Sequence, residues 1–332
     1  MKYQTAMPGQ LLKTAMGRQL LAAWFESRRP VPVSVPSVPI KKNQKRGKPL
    51  FPMKCPGSKC WFLPHAKQFL GGWHPKTIVE PFAGSGVVGL TLLSEDYADR
   101  LVLAELDERR IDFWKRVFEP DFAGFVEDWA AKALALPHEE QRQFVLDSLE
   151  VFARNDPGMW ALTYSRVSFS GKMDGGLMKK GDHGKGFMCR WRKDMVPMLR
   201  RIHELRDRIE VRRQDGLEVL REFDSPENYA FVDPPYSAGE DSQGPTLYRE
   251  HELDHVALFR LMSEWQGRWQ MTYDLCLETL SCGHPKGRYV ILHPEAGIWK
   301  SLGVRFQKVQ MLTGMNKKTF EVVVTSRKGR AA

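Results

Sequence analysis

From Phe51 onward, short apolar runs alternate with segments of helical period. TIVEPF (77–82) reads as a buried strand, and LVLAEL (101–106) as a second. Ser85 to Leu93 reads as a helix entered through a glycine turn, and Glu108 to Phe118 as the helix after the second strand. IEVRRQD (209–215), YAFVD (229–233), WQMTYD (269–274), VRFQKVQM (304–311) and FEVVVTS (320–326) predict further strands. A helix over 253–265, with apolar Val256, Leu258, Phe259 and Met262, lies between two of them. This alternation predicts an α/β fold, doubly wound, with a mostly parallel sheet covered on both faces. No internal repeat is evident.

Two segments depart from the pattern. Residues 30–50 carry alternating prolines and then a basic run, which predicts an extended linker behind an N-terminal docking helix. Residues 119–205 break the alternation and read as an insertion between the second and third strands. The insertion starts with a helix over Glu139 to Arg154 and continues as a glycine-rich, basic stretch interleaved with aromatics (164–195). Arg166, Lys172, Lys179, Lys180, Lys185, Arg190, Arg192 and Lys193 are its candidate nucleic-acid contacts. A surface lobe without a ligand is the competing reading. The domain division is then 1–50, a catalytic domain over 51–118 and 206–327, and the insertion over 119–205.

Composition adds little to the fold but bounds the partners. The chain has 332 residues, 42% of them hydrophobic, and a formal net charge of +10. That excess favours a polyanionic partner. No apolar run reaches the length of a membrane span. Five scattered cysteines form no zinc-type pairs and, being odd in number, no simple disulfide framework. A reducing, cytoplasmic setting is expected, with no metal.

Three short motifs carry the chemistry. EPFAGSG (80–86) lies where the first strand meets the first helix, and its glycines permit a tight turn close to a ligand. It matches neither the dinucleotide fingerprint nor the phosphate loop, so a phosphate-free ligand is favoured. About twenty residues later Glu105 ends the second strand, where an acid can accept bonds from ribose hydroxyls. A nucleoside without pyrophosphate points to S-adenosylmethionine. FVDPPY (231–236) ends the fourth strand in an acid, two prolines and an aromatic. The prolines stop the strand and fix a loop that presents a carboxylate and a ring.

The Lys54-Cys55-Pro56-Gly57-Ser58-Lys59 segment, EPFAGSG and FVDPPY, in that order along the chain and with the insertion before the last, resemble the Dam-type (alpha-class) adenine-N6 DNA methyltransferases. The likeness covers roughly residues 51–326 and implies a seven-stranded Rossmann-like sheet with an inserted target-recognition lobe. It implies a cytoplasmic protein of bacterial or phage origin. By this resemblance Lys54 to Lys59 cover the cofactor, with Lys59 near its methionine carboxylate. Pro81, Phe82, Gly84 and Gly86 line the cofactor turn, and Glu105 holds the ribose. Asp215 bonds the cofactor adenine while Leu217 packs on it. Asp233, Pro234, Pro235 and Tyr236 hold the target base, and Tyr273 and Asp274 lie near its pocket. Cys55 stands where the family often has an aromatic, and the Tyr-Asp segment lacks the family's intervening asparagine.

The resemblance gives DPPY a physical role. The exocyclic amine of adenine is a poor nucleophile because its lone pair is delocalised into the ring. Asp233 and the Pro234 carbonyl can each accept one N–H, which exposes the lone pair for transfer, and Tyr236 offers a stacking face. Cytosine N4, adenine in RNA, another planar amide, and a degenerate nucleic-acid-binding module remain as alternatives. HELDH (251–255) satisfies the zinc-protease pattern, but Asp254 reads as the cap of the following helix, which takes His251 off the required face.

Overall fold

The computed structural model describes residues 48–179, 186–235, 253–274, 305–312 and 318–326. The expected N-terminal helix and nearly all of the linker lie outside them, as do Lys180, Lys185, Tyr236, His251 and Glu252.

The strands are β1 (Thr77–Glu80), β2 (Arg100–Ala104), β3 (Ile209–Arg212), β4 (Tyr229–Val232), β5 (Arg268–Asp274), β6 (Arg305–Leu312) and β7 (Lys318–Thr325). They form one sheet in the order β3-β2-β1-β4-β5-β7-β6. The first five strands of that order pair in parallel, while β7 runs antiparallel to both β5 and β6. Every residue of β1 and of β4 is buried, as the unbroken apolar runs require of strands covered on both faces. The chain leaves β1 in one direction toward β2 and β3, then returns to place β4 on the other side. The crevice at that reversal, beyond the carboxyl ends of β1 and β4, is where sheets of this kind accept ligands.

The helices are α1 (Leu63–Leu70), α2 (Val87–Ser94), α3 (Glu108–Val117), α4 (Phe122–Ala135), α5 (His138–Asn155), α6 (Pro157–Val167), α7 (Met195–Glu204), α8 (Gly216–Glu222) and α9 (His255–Glu264). Helix α2 is apolar all round and buried over Val87–Leu93, since it packs against the sheet behind the site. Helices α3, α6, α8 and α9 start at Asp107, Asp156, Asp215 and Asp254, whose side chains accept backbone N–H groups of the first turn. The Asp254 cap is the one expected from the sequence, and the helix begins at His255. Among the described residues no cluster of metal-binding side chains is present. No described helix is long and apolar enough to cross a membrane.

The four helices of segment 119–205 pack into the core of the sheet domain. Phe122, Val126, Trp129, Val145, Leu149, Phe152, Met159, Leu162, Met198 and Ile202 belong to the same buried cluster as Ile78 and Leu101 of the sheet. Several of the segment's aromatics are spent on that packing, while Phe125 and Phe169 stay exposed: Trp129 lies 4.9 Å from Trp191 and 6.0 Å from Phe144 between ring centres. Phe187, Met188 and Trp191, in the stretch that reads as glycine-rich and basic, are buried.

Candidate active site at the carboxyl ends of the strands

The EPFAGSG turn delivers its backbone to the crevice. Gly84 and Gly86 both take positive φ, +52° and +62°, which a side chain would strain. Ala83 N–H bonds Ala104 O at 2.9 Å, and Gly86 N–H bonds Ala83 O at 2.7 Å. These bonds tie the turn to the end of β2. On the far side, a Cβ on Gly216 would come within 2.5 Å of Pro81 O and 2.7 Å of the Phe82 ring. Only glycine lets the start of α8 approach the turn this closely.

Around the turn lies a cavity partly open to solvent. It draws residues from every motif: Cys55 to Lys59, Pro81, Phe82, Gly84, Glu105, Asp215, Asp233 and Pro235 all line it. Lys54, Gly86, Leu217 and Pro234 back these segments without lining the cavity. Lys54 N–H donates to Ser165 Oγ at 3.2 Å, Leu217 is buried under the α8 cap, and Gly86 caps α2.

Each acid at the site has a defined set of partners. Asp233 Oδ2 is 2.9 Å from Lys59 Nζ, and Asp233 Oδ1 accepts the Thr272 hydroxyl at 2.7 Å. Lys59 Nζ also donates to Gly57 O at 2.9 Å, and its side chain is 4% exposed. Glu105 Oε1 accepts Leu106 and Asp107 N–H at 2.9 and 3.0 Å, and Oε2 accepts Arg110 Nη1 at 3.1 Å. Asp215 Oδ1 accepts Leu217 and Glu218 N–H at 2.9 and 3.2 Å. Lys59 thus lies against the acid expected to hold the target amine.

Glu80 occupies one N–H of the first turn of α2, next to the glycine turn. Its Oε1 accepts the N–H of Gly89, so a carboxyl group already serves the first turn of α2. In dinucleotide and phosphate-loop folds that helix terminus receives the phosphate. Burial pushes the Glu80 carboxyl up to about 8, the Gly89 bond opposes this, and the Asp233 charge adds to it. The space, the acids at the ends of β2 and β3 and the occupied helix terminus suit a nucleoside without phosphate.

Sequence reasoning missed three contributors. Arg110 lines the cavity, 7% exposed, and an ideal Cβ on Gly84 would sit 3.4 Å from its Nη1. Its signal is its position in the first turn of the helix that follows Glu105. Thr272 was passed over for Tyr273 and Asp274, whose side chains lie outside the described residues. The parallel register Val232↔Met271 sets Thr272 level with Asp233, which strand alignment could have revealed. Glu80 opens the EPFAGSG motif, and its role shows only through its bond to Gly89 N–H. Burial pushes the Cys55 thiol up, against a lowering from Arg110.

The candidate nucleic-acid contacts divide. Arg166 is buried and donates through Nε to Pro52 O at 2.7 Å and through Nη2 to Phe51 O at 3.3 Å. Its guanidinium is pulled down to about 10 by burial and by the nearby Arg192. It holds the 51–52 backbone and cannot reach a phosphate, which corrects the expectation. Arg192 is chelated by both oxygens of Asp194 at 2.8 and 2.7 Å, and Arg190 donates to Ser168 O at 3.0 Å. Lys179 and Lys193 are exposed and Lys172 half-exposed.

No family model matches the chain, and no curated protein matches it. Similar solved structures include a provisionally assigned RNA methyltransferase from Pyrococcus horikoshii (10% identity, 82% of this chain and 92% of that one, TM-score 0.33). They also include the methyltransferase domain of bacterial CtHen1 (11% identity, 80% and 96%, TM-score 0.32). A third is a precorrin-8w decarboxylase from Methanobacterium thermoautotrophicum (13% identity, 76% and 82%, TM-score 0.28). At these scores the likenesses carry no argument about activity.

Proposed function

We propose that this chain transfers a methyl group from S-adenosylmethionine to N6 of adenine in DNA, after turning the base out of the helix. The observation that carries the reading is one cavity at the strand ends. It joins the Gly84–Gly86 turn and Glu105 to the Asp233-Pro234-Pro235 loop. The cofactor supplies a methyl group already activated on a sulfonium, so no metal or covalent enzyme intermediate is called for.

The chain's own residues then have separable tasks. Glu105, oriented by its two backbone bonds and Arg110, receives the ribose hydroxyls. Asp215, which lines the cavity at the start of α8, receives the adenine of the cofactor, with Leu217 packed behind it. Asp233 and the Pro234 carbonyl accept the two amine protons of the target base. That draws the nitrogen toward a geometry with its lone pair exposed, and Tyr236 stacks on the ring. The net charge of +10 suits a DNA substrate, and the exposure of Lys179 and Lys193 supports a role for them in phosphate contact.

The reading is tested with purified protein, methyl-labelled cofactor and separate DNA and RNA pools. Label should enter DNA, and Asp233→Ala should abolish transfer while a cofactor product still binds. Label confined to RNA, or no transfer despite cofactor binding, would sink it.

A further inference from the structure

Lys59 stands between two groups that the proposed reaction uses separately. Its ammonium lies 2.9 Å from Oδ2 of Asp233, and the segment that carries it, 55–59, lines the nucleoside cavity. The other carboxylate oxygen is held at 2.7 Å by Thr272. Both oxygens of Asp233 therefore have donors within the protein, and one of these donors is the Lys59 ammonium. A neutral amine is a weaker donor than an ammonium ion, so it competes poorly for that oxygen.

We infer that Lys59 is a positioning residue that couples cofactor binding to capture of the target base. Without cofactor, it neutralises and holds Asp233. A cofactor carrying an amino-acid carboxylate brings a second anion into reach of the same ammonium. It draws Lys59 toward itself, and the ammonium no longer competes with the amine for Oδ2. The carboxylate also meets like charge from Asp233, so the two anions oppose each other across one lysine. Cofactor therefore binds before the base is captured. Asp233, although it touches the target base, also sets cofactor affinity. The inference rests on the proposed function, because it takes that cofactor and that base as partners.

Calorimetry with two nucleosides tests it. S-adenosylhomocysteine carries the amino-acid carboxylate; 5′-methylthioadenosine keeps the nucleoside and sulfur but lacks that group. Asp233→Asn, nearly isosteric, should bind S-adenosylhomocysteine about tenfold tighter than the unmodified chain, on the scale of one charge-assisted bond. Lys59→Met should bind it about tenfold more weakly on the same scale. Neither variant should change affinity for 5′-methylthioadenosine. Unchanged S-adenosylhomocysteine affinity in Asp233→Asn, or equal shifts for both ligands, would overturn the coupling and leave the methyl-transfer reading standing. Failure of the unmodified chain to bind S-adenosylhomocysteine would instead overturn that reading, and the coupling with it.

Discussion

Thr272 donates its hydroxyl to Oδ1 of Asp233 at 2.7 Å, from the strand that lies next to β4 in the sheet. The bond fixes the carboxylate plane from the side opposite Lys59. Thr272→Val keeps the shape and removes the donor. It should lower kcat by roughly tenfold or more, the worth of a bond to a charged group, while cofactor affinity stays within about twofold. Thr272→Ser should restore most of the rate. Steady-state kinetics separates these outcomes; an equal loss in the valine and serine variants would show that the methyl group matters and not the hydroxyl.

Arg110 and Glu105 form one ion pair in the cavity wall, at the end of β2. Their side chains are 9% and 12% exposed and 3.1 Å apart. Removing either should weaken S-adenosylhomocysteine binding by about tenfold, and removing both should cost little more than removing one. Calorimetry on Arg110→Met, Glu105→Ala and the double variant measures this. Strictly additive losses would mean that each residue meets the ligand independently.

Glu80 gives the stability of the chain a particular pH dependence. Its carboxyl is raised from an ordinary value of 4.5 to about 8, chiefly by burial. The folded protein therefore holds a proton there that the unfolded chain releases. The associated stability is complete below about pH 4.5 and is lost as pH rises through about 8. Glu80→Gln keeps the acceptor for Gly89 N–H but cannot ionise. Across that window the variant should gain on the unmodified chain by up to about 1.4 kcal/mol per pH unit in urea unfolding. A pH-independent difference would place a charged carboxylate at Glu80.

Arg166 and Lys193 look alike by charge and should behave oppositely. Arg166→Met leaves the Phe51 and Pro52 carbonyls without their buried donor, and should destabilise by about 2–4 kcal/mol in denaturant titration. Its affinity for DNA, measured while folded, should not change. Lys193→Ala should leave stability unchanged, weaken binding on all sequences and reduce the salt slope by about one. Loss of DNA affinity in a stable Arg166→Met protein would restore Arg166 to the DNA-binding face.

What could be read from the chain beforehand followed what each signal measures. Hydrophobic period reports burial on both faces, so TIVE, YAFV and the order of strands and helices were legible. EPFAGSG and FVDPPY were legible because glycine and proline act on the local backbone whatever surrounds them. The pairing of Lys59 with Asp233 was not, because it joins segments distant in sequence that meet only when β1 and β4 pair. The 164–195 stretch was legible only in part, because its charge and glycine content concealed buried Phe187, Met188 and Trp191. An arginine's charge does not say whether it faces solvent or, like Arg166, a backbone carbonyl.

The most direct test is nucleoside mass analysis of mixed-sequence DNA after incubation with the protein and S-adenosylmethionine. N6-methyldeoxyadenosine should accumulate with the unmodified chain and be absent with Asp233→Ala. N4-methyldeoxycytidine in its place, or no methylated nucleoside from protein that binds S-adenosylhomocysteine, would contradict the assignment of the Asp233-Pro234-Pro235 loop to the adenine amine.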